Sequence, residues 1–321
     1  MKKAGLILTL TLLAGSTFSQ EKKSTMDNAP LGERQDAVKD EADAKITNRR
    51  FRAQNGSLSD FSVNLNVNYS AGSVNKPFAA DRPNITGAAD TVLSADASVG
   101  ITGTYRLTKL DRINAGIGMY MLAPFHTTLD TENKTQEEEF EDNQGNLQVN
   151  DPFISYTHLN KFFGVQTIFN VGYTRFTNEA FTENRQMRDR VDASINTMYD
   201  TGNGFSFGLL VTGYRTFFDS FTNDGKDIRS AQLESSFGFL PQAEYVINDT
   251  FNLRTIVRTH WYDNVRSQSS DEWRTRPITQ SVGLGISVSR DIFLYPNIQF
   301  AYDNLQADNT NIGLSANINM F

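Results

Sequence analysis

The sequence contains no cysteine among its 321 residues. This absence excludes disulfide bonds, thiolate metal sites, a cysteine nucleophile and a lipid-modified N-terminal cysteine. The chain also lacks any long apolar run after residue 15, so no further segment is predicted to cross a membrane as a helix. Of the three histidines, His260 alone is predicted to lie toward the outer end of a strand in the strand pattern described below. No serine lies close to it in the sequence to act as a nucleophile. We therefore expect no enzymatic activity.

The sequence has fewer basic than acidic residues. The formal net charge is −7, and it becomes −9 once Lys2 and Lys3 are removed with an export signal. An acidic chain of this kind is a poor candidate for binding nucleic acid, which requires a basic surface. No phosphate-binding glycine loop, zinc-ligand spacing or nucleotide fingerprint occurs, so we expect no cofactor and no metal.

Residues 1–19 have the pattern of a secretory signal peptide. Lys2 and Lys3 precede an apolar run at 5–15, and the small residues Thr17 and Ser19 suit cleavage before residue 20. The alternative is an uncleaved membrane anchor, but the apolar run is short for a span of about 20 residues. The pattern predicts an exported protein.

Residues 61–69 alternate strictly between apolar and polar side chains. Phe61, Val63 and Leu65 begin one face, whereas Asn64 and Asn66 belong to the other. Strand side chains point alternately to opposite sides of a sheet, so this pattern predicts a strand with one apolar and one wet face. Similar segments recur to the end of the chain, and they predict about twelve strands. The predicted strands are 61–69, 91–107, 113–122, 151–158, 163–176, 188–199, 205–217, 230–246, 251–262, 278–289, 294–302 and 310–321.

The connections between these segments alternate in length. Long connections are predicted at 71–90, 123–150, 177–187, 218–229, 263–276 and, more briefly, 303–309, and short turns separate the other pairs. Short periplasmic turns and longer outer loops are typical of outer-membrane barrels. Residues 61–321 are therefore predicted to form an all-β, up-and-down antiparallel transmembrane β-barrel, with both chain ends in the periplasm.

Residues 20–60 differ in composition, because they are rich in charge and their one aromatic residue is Phe51. Three interpretations remain open: a disordered periplasmic tail, a short helix that is free or docked at the periplasmic mouth, and a plug inside the lumen. An acidic run at 130–142 has two further interpretations, a solvated outer loop or a weak divalent-cation site.

From about residue 60 the chain resembles the outer-membrane β-barrel proteins of Gram-negative bacteria. The resemblance rests on the alternation, the loop lengths, the terminal Phe321 and aromatic residues near strand ends, which suit two interfacial girdles. The girdle candidates are Tyr69, Tyr105, Phe163, Tyr173, Tyr199, Phe205, Tyr245, Phe251, Trp261 and Tyr302. The resemblance implies contact with outer-membrane lipid and lipopolysaccharide, and insertion by the barrel-assembly machinery. Phe321 departs from the family pattern, because Met320 shares the outward face with Ile318 whereas Phe321 does not; a bulge or Met320 itself would supply the outward residue.

Charged side chains on the inward-facing set are the candidates for a lumen constriction. They are Asp96, Arg106, Arg190, Asp192, Glu234, Glu244, Arg254, Arg258 and His260. A tight turn at 248–249 would place Glu244 directly opposite Arg254, where the two should pair. Arg258 and His260 are also predicted inward, with Trp261 facing lipid. These groups suit either a mildly cationic constriction or an ion-pair network that fills the lumen.

The sequence thus predicts a narrow, porin-like channel for small hydrophilic solutes, because twelve strands lie between the filled eight-stranded barrel and the sixteen-stranded aqueous pore. The first alternative is a structural or surface-binding barrel with a closed lumen. The second is an outer-membrane lipid-modifying hydrolase.

Overall fold

The computed structural model describes residues 40–86, 92–126, 147–149, 151–265 and 272–320. The predicted signal peptide, residues 20–39, the acidic run and Phe321 lie outside the described residues. Within them, no helix is long and apolar enough to cross a membrane.

Twelve antiparallel strands form one closed ring among the described residues, which confirms the predicted fold class and strand number. The strands are β1 Phe61–Ser73, β2 Asp96–Arg106, β3 Asp111–Leu122, β4 Phe153–Phe162, β5 Val165–Arg175, β6 Met187–Asp200, β7 Phe205–Phe218, β8 Leu233–Val246, β9 Phe251–Arg258 continued by His260–Val265, β10 Thr279–Ser287, β11 Ile292–Ala301 and β12 Asn311–Met320. Each strand pairs with its neighbour in sequence, and β1 pairs with β12 to close the ring.

Several short elements are not part of the ring of strands. They are the helices α1 Glu41–Lys45, α2 Arg49–Gln54 and α3 Glu179–Thr182, the 3₁₀ turns Arg229–Ala231 and Ala307–Asn309, and the short strands Asp81–Pro83, Val92–Ser94, Leu147–Val149, Thr222–Asn223, Lys226–Asp227 and Glu272–Thr275. One of them corrects a predicted boundary: β2 starts at Asp96 rather than residue 91, because Val92–Ser94 pairs instead with Asp81–Pro83 in a separate two-stranded sheet.

The alternation in β1 places its asparagines in the lumen. Asn64 Nδ2 donates to Asn319 Oδ1 at 2.7 Å, and Asn66 Nδ2 donates to Asn317 Oδ1 at 2.9 Å, across the seam between β1 and β12. Pairing is unbroken from Val63–Met320 to Ser70–Gly313, and the one irregularity of this ladder lies between Ser70 and Ser73, so no bulge shifts the last described residues. Met320 therefore occupies the outward position.

Large apolar side chains cover the outer surface of the ring, and aromatic ones gather near the short turns. Phe163 is 87 % exposed and Phe61 is 61 % exposed. The other outward aromatic residues at this end are Tyr105, Phe162, Tyr199, Phe205, Phe207, Tyr245 and Phe251. These side chains form an aromatic belt at the short-turn end of β1–β9.

The predicted alternation fails in β9. Thr259 interrupts the strand, and beyond it Trp261 is opposite Gly238, with its Nε1 donating to Ser236 Oγ at 2.7 Å. Ser236 is on the lumen face, so the prediction that Trp261 faces lipid is wrong. Position 260 is opposite Phe239, which is on the outer face, whereas the sequence predicts it on the inward face. An extra residue in a strand exchanges its two faces, and this explains the error.

Candidate functional site

Residues 40–57, here called the inner segment, enter the short-turn end of the barrel. Phe51 is completely buried and Ile46 is 2 % exposed, and both pack with Leu159, Ile168 and Met198 of β4, β5 and β6. Burying a side chain as large as Phe51 contributes about 1.5–3 kcal/mol. The inner segment therefore has an apolar anchor in a lumen that is otherwise mostly polar.

The two helices of the inner segment are too short to be stable alone. The Asp40 side chain caps α1 by accepting from the Ala42 N–H at 2.9 Å, and the Asn48 side chain caps α2 by accepting from the Phe51 N–H at 3.1 Å. Each cap satisfies one backbone donor at a helix start and contributes about 1 kcal/mol. Their contacts with the barrel must supply the rest.

The inner segment spans the lumen from wall to wall. On one side, the backbone N–H groups of Thr47 and Asn48 both donate to Gln166 Oε1 of β5 at 2.7 Å. On the other side, Ala53 packs with Phe293 of β11. Strands β5 and β11 are six apart in a ring of twelve, so they face each other across the lumen. Of the three interpretations of the N-terminal region, the helical and lumen-filling ones describe residues 40–57.

A buried ion network joins α2 to β8 and β9. Arg50 Nε donates to Glu244 Oε1 at 3.0 Å, and Arg50 Nη2 donates to Gln242 Oε1 at 3.0 Å. Arg254 is directly opposite Glu244, as predicted, with 3.4 Å between Arg254 Nε and Glu244 Oε1. The guanidinium of Arg254 also lies over the ring of Tyr295, 4.7 Å from its centroid. Glu244 and Arg254 are thus bound within a filled part of the lumen.

Asp40 and Asp43 of the inner segment also bind arginines, which lie near the short turns. Asp43 accepts from Arg290 at 2.8 Å, and Asp40 accepts from Arg106 Nη2 at 2.9 Å. Burial acts to raise the pKa of Asp40, but the hydrogen bonds from the Ala42 N–H and Arg106 outweigh it and lower that pKa below its ordinary value. Asp40 is therefore held as a carboxylate in the folded protein.

Beside the inner segment, the lumen contains a polar cavity of about 660 Å³. Gln54, Asn55 and Gly56 of the inner segment line it near the short turns, and Phe176 and Phe181 line it near the long loops. The wall between them is mostly amide and hydroxyl: Asn64, Asn66, Asn68, Ser98, Thr102, Thr104, Asn114, Ser155, Thr157, Asn170 and Thr174. The cavity thus runs along β1–β6 beside the inner segment.

Two arginines line this cavity, and their surroundings differ. The guanidinium of Arg190 lies over Tyr214 and Phe176, at 4.3 Å and 5.1 Å from the ring centroids, and its Nε donates to Thr216 Oγ1 at 3.4 Å. Arg112 is 1 % exposed, and none of its three guanidinium nitrogens has a hydrogen-bond partner among the described residues. Arg112 was absent from the predicted candidates, because it directly follows a turn and was not assigned to a strand.

The remaining sequence candidates do not converge on one constriction. Asp96 accepts from Arg82 Nη2 at 3.0 Å near the long loops, and Glu234 pairs with Arg215. Asp192 lies two residues after Arg190 in β6, and its carboxylate occupies the space beside Gly172. Arg258 Nη1 is buried and has no hydrogen-bond partner among the described residues. The side chain of His260 lies outside what the structure describes.

Comparison with known proteins finds similarity in structure but not in sequence. No family model matches the chain, and no curated protein matches it in sequence. Solved structures do match: an outer-membrane channel from Pseudomonas putida F1 has a TM-score of 0.52 at 10 % identity, over 83 % of this chain and 97 % of that one. The NanC porin matches with a TM-score of 0.44 at 8 % identity, over 81 % of this chain and 100 % of the porin.

At such low identity the likeness concerns architecture alone. The closed ring of twelve antiparallel strands, its apolar outer surface and its polar interior agree with the similarity to the Pseudomonas channel. The chain therefore has a closed twelve-stranded antiparallel β-barrel fold, which is similar to the fold of this outer-membrane channel.

Proposed function

We propose that the protein is an outer-membrane channel that admits small hydrophilic solutes through the cavity beside the inner segment. The observation that carries this proposal is the polar cavity of about 660 Å³, which runs from Gln54 and Asn55 to the long-loop residue Phe181. A lumen that served only to stabilise the barrel would be filled throughout. Here the inner segment fills part of the lumen, and a polar cavity lies beside it.

The outer surface supports placement in a membrane. Exposed apolar side chains on this scale are costly in water, and an aromatic belt suits the headgroup region of a bilayer. We place the short turns and both chain ends in the periplasm, since short turns face that side in bacterial barrels. Lipid, lipopolysaccharide and the barrel-assembly machinery are proposed partners on the same basis. We propose no catalytic role.

The lining indicates the class of solute. Most of it consists of neutral amide and hydroxyl groups, which exchange hydrogen bonds with a hydroxylated solute as water does. The inner segment also crosses the lumen from β5 to β11, so the passage is narrower than a twelve-stranded ring alone would allow. The solutes should therefore be small and polar.

Planar-bilayer recording of the purified, heat-modifiable full-length protein tests this proposal. We expect small unitary conductance, and a larger conductance from a variant that lacks residues 40–56, because that deletion removes the material spanning the lumen. If neither protein conducts, the channel proposal is wrong. If only the deletion variant conducts, the closed-lumen barrel is the better description, and the wall-to-wall contacts of the inner segment already give that alternative some support.

A further inference from the structure

We propose that Arg112 forms a binding site for a carboxylate-bearing small solute at the inner end of the lumen cavity. This site rests on the proposed function in one respect, which is that the solute reaches Arg112 through the cavity of the channel. It is carried by the charge and hydrogen-bonding state of one residue and by the polar groups that surround it.

The first observation is an excess of positive charge at the inner end of the cavity. Arg106 and Arg112 are directly opposite each other on β2 and β3, and therefore share the lumen face. Arg106 is neutralised by Asp40 and also donates to the Leu58 carbonyl oxygen. Arg290 is neutralised by Asp43 at 2.8 Å. Asp40 and Asp43 are thus engaged by other arginines, the third acid of the inner segment, Glu41, is exposed, and Arg112 has no ion-pair partner among the described residues.

The second observation is that the buried guanidinium of Arg112 has unused donors. Buried polar groups in proteins are almost always hydrogen-bonded, and a buried unpaired charge is more costly than a neutral group. A desolvated charged group that lines a cavity is therefore a candidate for a functional site. Arg112 lines the cavity with Asn114 and Thr157, and its guanidinium nitrogens are buried beside it, so a solute in the cavity reaches these donors by displacing a neighbouring side chain.

The chemistry of the site selects a carboxylate. A guanidinium presents parallel N–H donors in one plane, and these match the two oxygens of a carboxylate in a bidentate pair. The amides of Asn55, Asn64 and Asn114 line the same cavity and would bind hydroxyl groups elsewhere on the solute. A hydroxylated carboxylate uses both features, whereas a neutral sugar uses only one of them.

Calorimetry on the full-length protein in detergent can test this assignment with a matched pair of probes. Glucuronate differs from glucose by a carboxylate in place of a hydroxymethyl group. We expect glucuronate to bind at least about tenfold more tightly than glucose, a ratio that corresponds to one charge-assisted bidentate contact. Arg112→Gln should remove most of this preference by weakening the binding of glucuronate.

Arg190→Gln is the matched control, because Arg190 lines the same cavity but is held against two aromatic rings. We expect it to change glucuronate affinity by less than about threefold. Equal binding of the two probes, an unchanged preference in Arg112→Gln, or an equal loss in both variants would each overturn the site at Arg112. Tighter binding of inorganic phosphate than of glucuronate would overturn the carboxylate assignment. Calorimetry does not depend on conduction, so a conducting protein that fails this test loses the site and keeps the channel.

Discussion

Arg50 of the inner segment donates to Glu244 of β8 at 3.0 Å, and each of these side chains is only 2 % exposed. Glu244 also lies opposite Arg254, and it accepts from Asn48 Nδ2 at 2.7 Å. One carboxylate therefore balances two buried arginines that come from different parts of the chain. This relationship makes Glu244 the residue on which the docking of the inner segment depends most.

Replacing Glu244 with glutamine should destabilise the protein strongly. The change keeps the shape of the side chain but leaves the charges of Arg50 and Arg254 buried without an acid, and removing one member of a buried ion pair costs about 3–5 kcal/mol. The measurement is the free energy of unfolding in urea, followed by tryptophan fluorescence in detergent. Asp249→Asn is the control, because Asp249 pairs with Arg49 on the exposed surface, where ion pairs contribute little. Equal effects of the two changes would contradict a special role for the buried network.

How much of this arrangement the sequence predicts depends on how local its cause is. The faces of β1 follow from a period of two, and the Glu244–Arg254 pair follows from one tight turn, so both were accessible. The exchange of faces after Thr259 depends on how β9 pairs with two neighbours, which no local pattern records. The docking of Phe51 was inaccessible for another reason: its partners Leu159 and Met198 are more than a hundred positions away in the sequence, and the segment itself has little apolar surface.

Arg106 and Arg112 should respond to substitution in opposite directions, although they are opposite each other in the same hairpin. Arg112→Gln removes a buried charge that has no hydrogen-bond partner among the described residues, so we expect the free energy of unfolding to rise by about 1 kcal/mol or more in buffer without carboxylates. Arg106→Gln removes the ion-pair partner of Asp40 and should lower the free energy of unfolding. Chemical unfolding of both variants checks this, and destabilisation by Arg112→Gln would show that the arginine is satisfied within the fold.

The docking of the inner segment should weaken at low pH through Asp40. The pKa of Asp40 in the folded protein lies below its ordinary value of 3.8, so its contribution to stability is complete above that value and is lost as the pH falls below it. Limited digestion with pepsin across pH 2–5 would follow exposure of the segment. In Asp40→Asn, the rate at which pepsin cuts the inner segment should not change at the pH where Asp40 titrates, because this variant lacks the titrating carboxyl group. A wild-type profile identical to that of Asp40→Asn would assign the acid sensitivity to other carboxyls.

The contact between Trp261 and Gly238 gives a test of the exchanged faces in β9. A Cβ atom on Gly238 would lie 2.3 Å from Trp261 Cε3, so Gly238→Ala must displace the indole, and overpacking of this kind costs about 1–3 kcal/mol. Gly100→Ala is the matched control on the lumen face of β2, because its Cβ would meet nothing closer than 3.8 Å. In a Trp273→Phe background, which leaves Trp261 as the one tryptophan, Gly238→Ala should shift the emission maximum and lower the unfolding midpoint, whereas Gly100→Ala should do neither. If Trp261 faced lipid instead, neither alanine would alter its emission. That result would mean that the alternation predicted from the sequence continues through β9 without an exchange of faces.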